Sequence, residues 1–81
     1  MVKVLLFGRL ADLAGWRERD FGPGPPSLSA LRSLVAAGNQ ELAGALAGPG
    51  VQVAVDLDLV RGEAILGAGA EVAFLPPMSG G

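Results

Sequence analysis

Apolar positions dominate both ends of the chain, and their spacing changes from two to three or four between them. Val2, Val4 and Leu6 alternate with Lys3, Leu5 and Phe7, and this near-continuous run predicts a strand ended by Gly8. Leu10, Leu13 and Ala14 then recur at helical spacing before Gly15, which predicts a short helical turn. Residues 16–21, Trp-Arg-Glu-Arg-Asp-Phe, alternate imperfectly and read as a second strand, antiparallel to the first.

The stretch Gly22-Pro23-Gly24-Pro25-Pro26 excludes regular structure. Ser27 after it is a good N-cap for a helix whose apolar face is Leu28, Leu31, Leu34 and Val35. Gly38 is placed to end that helix. Asn39 can cap a second short helix carrying Leu42, Ala45 and Leu46, which Gly48-Pro49-Gly50 stops. Val51, Val53 and Val55 mark a strand, Asp56-Leu57-Asp58 a turn, and Leu59-Val60 a short strand. After a Gly/Ala-rich loop over 62–70, Glu71 to Leu75 is the last strand, and Pro76-Pro77 stops it because proline cannot donate to a ladder. The two terminal strands are the most apolar and are expected at the centre of the sheet. The expected fold is α+β, a mixed sheet packed on one main helix, compatible with a β-grasp.

The phase of the terminal strands carries a functional expectation. Lys3 and Glu71 mark the faces turned away from the helix. Leu5, Phe7, Ala73 and Leu75 share those faces and would form an apolar patch on the uncovered side, a feature that often marks a partner site.

At 81 residues the chain has room for one small core and no cofactor domain. Its net charge of −2 and lack of a basic stripe argue against nucleic-acid binding. No apolar run approaches the length of a signal-peptide core or a membrane span, so the expected location is the cytoplasm, with no membrane partner. Without Cys or His the chain has no thiolate, no imidazole base and no soft metal ligand. Its serines have no His to activate them. Asp56 and Asp58 read as a solvated turn rather than a metal pair. The Gly-rich segments lack the lysine and spacing of a phosphate loop. No catalytic constellation exists within the chain, no metal is expected, and no bound cofactor is expected.

What remains is the C-terminus. Residues 1–75 read as the domain and 76–81 as a projecting tail, Pro76-Pro77-Met78-Ser79-Gly80-Gly81. The proline pair favours an extended exit from the sheet. The Gly81 carboxylate sits at the end of a tail with almost no side chains, so it can be threaded into a narrow active site, and glycine lets a partner approach closely.

The ending Glu71-Val72-Ala73-Phe74-Leu75-Pro76-Pro77-Met78-Ser79-Gly80-Gly81 closely resembles that of the molybdopterin synthase small subunits, a ubiquitin-like sulfur-carrier family. The opening segment over residues 2–15, and Val53-Ala54-Val55 with Leu59-Val60, are also similar to that family. Asp56 and Ala70 depart from it, where Asn and Asp are common. The resemblance implies a β-grasp domain that is no enzyme on its own. It implies that an activating adenylyltransferase, related to ubiquitin-activating enzymes, uses ATP to adenylate Gly81. Persulfide sulfur then replaces the AMP, and the Gly81 thiocarboxylate donates sulfur to a cyclic pyranopterin precursor in the large synthase subunit, the two subunits forming a heterotetramer. It adds Leu59 to Phe7 and Leu75 as the expected partner interface. Related carriers for thiamine synthesis or tRNA thiolation also end in Gly-Gly. A ubiquitin-like module that docks without carrying sulfur is the alternative of another class.

Overall fold

The computed structural model describes residues 1–23 and 25–77. Five strands form one mixed sheet: β1 (Val2–Leu6), β2 (Glu18–Phe21), β3 (Gln52–Val55), β4 (Asp58–Val60) and β5 (Glu71–Leu75). Three short helices accompany them: α1 (Gly8–Ala14), α2 (Leu28–Val35) and α3 (Gln40–Leu46). The order across the sheet is β2-β1-β5-β3-β4, with β1 and β5 parallel and the other pairs antiparallel. The terminal strands are therefore neighbours at the centre, as their apolar composition requires. This is the β-grasp, ubiquitin-like fold.

Strand alternation sorts the two faces. Val2, Val4 and Leu6 of β1 and Val72 and Phe74 of β5 are buried on the inner face, while Lys3, Leu5, Glu71, Ala73 and Leu75 are only half-buried. The helices complete the core with Leu10, Leu28, Leu31, Val35, Leu42 and Leu46. Ser27 caps α2, its hydroxyl accepting from the Ala30 amide at 3.3 Å, and Asn39 caps α3, accepting from the Leu42 amide at 3.0 Å. The Asn39 side chain also donates to the Leu13 carbonyl, tying α3 to the end of α1.

Several expectations need correction. Leu34 is 48% exposed. The buried stripe of α2 runs through Leu28, Leu31 and Val35, and Leu34 lies roughly 90° from its middle at 3.6 residues per turn. Arg32 takes the inner position instead, its guanidinium 5.9 Å from the Phe74 ring centroid. That helix ends at Val35, with Ala36 at its C-cap, and Gly38 adopts its positive φ two residues later. Beside it, the two short helices expected from the sequence, α1 and α3, pack on each other and supply three of the core leucines. β1 stops at Leu6, and β2 is shortened to Glu18–Phe21 because Trp16 folds back onto the Phe21 ring, 5.9 Å between centroids. The Gly/Ala-rich loop contributes to the core through Leu66 and Ala70, and the Leu66 amide donates to the Pro26 carbonyl.

The turn between β3 and β4 is two residues, not three, and Asp58 already belongs to β4. Both its residues, Asp56 and Leu57, have positive φ, at 50° and 73°. Such a hairpin turn prefers Asn or Asp followed by Gly. Leu57 is 88% exposed, so its side chain repays none of the left-handed strain. Leu57→Gly is expected to stabilise the fold by about 0.5–1 kcal/mol, after allowing for the greater chain entropy of glycine. Thermal unfolding should show a rise of roughly 2–8 °C.

Candidate functional site

Two features converge at one end of the sheet. The first is an uncovered apolar face. The registers align Leu5, Ala73, Ala54 and Leu59 in one row across four strands. Continuing the β1–β5 register by one residue sets Phe7 beside Leu75, which pairs with Gln52 of β3. Leu59 is 63% and Phe7 44% exposed, while Leu5, Ala54, Ala73 and Leu75 are half-buried. Phe7 stands at the N-cap of α1 with extended backbone, which continues the outward phase of β1. The charged margin of this face includes Lys3, Glu71 opposite it, and Glu18, which pairs with Lys3 at 3.7 Å.

The second feature is the end of β5. The strand leaves the middle of the sheet at Leu75 and passes into Pro76, half-buried, and Pro77, exposed. Met78, Ser79, Gly80 and Gly81, the expected carrier of the chemistry, lie outside the described residues. Pro76 and Pro77 thus follow directly on Leu75, the residue that the register sets beside Phe7.

The sequence profile of the ThiS family matches residues 4–81. The chain is also 37% identical over all 81 residues to the molybdopterin synthase sulfur carrier subunit of Escherichia coli (strain K12), covering the whole of that protein. This chain belongs to the ThiS family. Among solved structures, the ThiS-family domain is similar to the small archaeal modifier protein 1 of Methanosarcina acetivorans, with TM-score 0.85 at 22% identity, covering 99% of this chain and 95% of that one. It is similar also to SAMP1 from Haloferax volcanii, with TM-score 0.80 at 24% identity, over 99% and 98% of the two chains. A putative molybdopterin converting factor subunit 1 from Pyrococcus furiosus gives TM-score 0.74 at 26% identity, over 95% and 97%. The archaeal modifier likenesses establish the ubiquitin-like fold.

Two further polar side chains of this ThiS-family chain, Asp56 and Glu63, serve the fold. Asp56 holds the start of β5 with two bonds to Glu71, its Oδ1 accepting from the Glu71 amide at 3.0 Å and its own amide donating to the Glu71 carbonyl at 2.8 Å. That pairing gives Asp56 a local structural role at a position where Asn is common in the resembling family. Glu63 accepts from the Ser29 hydroxyl and from the Ser29 and Ala64 amides. These bonds, the Ser29 hydroxyl foremost, hold its carboxyl below the ordinary carboxylate range. The bonded form is the charged one, so this tie between the loop and α2 stands at neutral pH and is lost only as pH falls through that lowered value. Among the described residues no group of three acidic side chains could hold a metal ion. No helix is long and apolar enough to cross a membrane among the described residues.

A surface cleft of about 650 Å³ lies between α2, β3 and β4, with Arg32, Arg61 and Glu63 along it. The Ser29 hydroxyl and the Glu63 carboxylate meet in it, but that carboxylate also accepts two amide hydrogen bonds, and its lowered proton affinity makes it a weak base. Sequence reasoning missed Ala54 in the apolar row, although the alternation of Val53 and Val55 places it on the opposite face. It also missed the glycines that flank the proline pair.

Proposed function

We propose that this chain is a sulfur carrier for molybdopterin formation, acting as the small, sulfur-donating subunit of a synthase. The observation that carries the reading is the convergence of β5 and the apolar face. A partner that covers Leu5, Ala73, Ala54 and Leu59 lies next to Pro76 and Pro77, so docking itself presents the residues that follow them. The full-length likeness to the Escherichia coli sulfur carrier subunit supports the same reading.

On this reading the chain supplies a reactive end and a docking surface, and its partners supply the catalysis. An activating enzyme binds the same small domain and transfers AMP from ATP to the Gly81 carboxylate. The acyl adenylate makes the carbonyl electrophilic, so no nucleophile is needed in this chain. The terminal sulfur of a persulfide attacks the carbonyl and expels AMP, and a thiol of a partner then cleaves the resulting acyl disulfide, being oxidised to a disulfide with the donor and leaving the thiocarboxylate. The large synthase subunit then receives the tail and directs the sulfur to a cyclic pyranopterin precursor. The missing Cys and His fit this division of labour, because a nucleophile near an acyl adenylate would consume it.

The test is intact mass after incubation with ATP, an activating enzyme, a persulfide donor and a thiol reductant. The expected result is an exchange of one oxygen for sulfur, which fragmentation assigns to Gly81. Sulfur on another residue, or none after full activation, refutes the carrier reading and leaves the docking module.

A further inference from the structure

β5 ends at Leu75, and the two prolines that follow lie between the continuations of both neighbouring strands. The parallel register sets Leu6 opposite Phe74, so two steps further Gly8 comes opposite Pro76. The antiparallel register sets Gln52 opposite Leu75, so two steps further Gly50 comes opposite Pro77. Each proline is therefore flanked by a glycine from a different side.

The contacts are close on both sides. A Cβ at Gly8 would stand 3.1 Å from Cγ of Pro76, and one at Gly50 would stand 2.9 Å from Cβ and 3.7 Å from Cα of Pro77. Both glycines have positive φ, +54° and +83°, a conformation that side chains disfavour. The prolines have no N–H for the ladder, so the usual hydrogen bonds cannot fix the end of this strand. Close packing against bare glycine backbone takes their place.

We propose that Gly8 and Gly50 are positioning residues that seat Pro76 and Pro77 and so fix the point and heading at which β5 hands over to the reactive end. This rests on the carrier reading, since heading matters only if Gly81 must reach a reaction centre. The proline rings hold φ near −65°, so a displacement at Pro77 is passed on along the chain instead of being absorbed there. Neither glycine belongs to the apolar row across the sheet, so the seat and the docking surface are separable by substitution.

A matched pair of variants tests this. Gly15, at the C-cap of α1, has the same φ of +83° as Gly50, but a Cβ there would meet nothing within 4 Å. Gly15→Ala and Gly50→Ala therefore impose the same backbone strain, and only the second pushes into Pro77. Both are expected to fold and to lose similar stability. Gly15→Ala should be converted to the thiocarboxylate at the wild-type rate. Gly50→Ala should fall about 10–100-fold in kcat with KM changed less than about threefold, because misplacement by about an ångström costs rate more than binding. Gly50→Ala reacting as fast as Gly15→Ala, or both slowing equally, overturns the proposal. A wild-type chain that takes up no sulfur sinks the carrier reading instead. The seat is then judged by nuclear magnetic resonance: Gly50–Pro77 proton contacts, with Pro77 resonances that move in Gly50→Ala and not in Gly15→Ala. Absent contacts, or equal movement in both variants, overturn it.

Discussion

Deleting Gly80 and Gly81 is expected to abolish sulfur transfer while leaving the fold and most of the docking affinity in place. The core closes without these residues: Phe74, Val72, Val4 and Leu31 are fully buried, and the final strand ends at Leu75. Far-ultraviolet circular dichroism and the melting temperature should therefore stay at wild-type values. Docking should weaken only in part, because the row Leu5, Ala73, Ala54 and Leu59 remains. The chemistry has no such reserve. The shortened chain would end at Ser79, a bulkier terminus roughly 7 Å short of the original reach. At that distance a residual rate is not expected, since about an ångström of misplacement already costs about a hundredfold. The measurement is pterin dithiolene formation by the reconstituted synthase. A truncated chain that supports it at the normal rate would leave the docking-module reading in place of the carrier.

The parts of this molecule that one sequence reveals are those governed by strong local rules. Strand β5 is bounded by Glu71 and by a proline pair, and the phase of Lys3 against Val2 and Val4 could only mean a face turned away from the core. Ser27 and Asn39 announce their helices through cap chemistry that acts within three residues. What was not legible depends on distant partners. Leu34 looks like core until Arg32 is seen over Phe74, and that contact belongs to the pairing of α2 with β5. Trp16 could extend β2 by alternation, yet its ring packs on Phe21 with Arg19 against both rings. Gly8 and Gly50 are 42 positions apart and acquire their meaning only when two registers are counted to the same proline pair. Leu57 obeys no local preference at all: the tight turn between β3 and β4 imposes its left-handed backbone. The candidate surface was legible because alternation is a local rule, whereas the seat of the tail was not.

Phe7→Glu is expected to cut affinity for the large synthase subunit by roughly 100–1000-fold, a loss of about 3–4 kcal/mol. In the free domain Phe7 is 44% exposed and reaches solvent from the N-cap of α1, where no side chain bonds to the helix. A carboxylate at that position meets the positive end of a helix, so the free variant should fold and melt close to wild type. In the complex the same carboxylate would be buried against apolar surface beside Leu75, a cost that the exposed Arg17, which lines the same cleft as Phe7, offsets only in part. Lys3, the nearest charge on β1 of that face, is already engaged with Glu18. Ile65→Glu supplies the control, because Ile65 is 89% exposed but sits in the loop that bridges to Ser27, at the start of α2. Its affinity should be unchanged. Calorimetry of the two variants against the large subunit separates the surfaces. A folded Phe7→Glu that binds like wild type removes Phe7 from the interface, and a loss confined to Ile65→Glu moves docking to the helical side of the sheet.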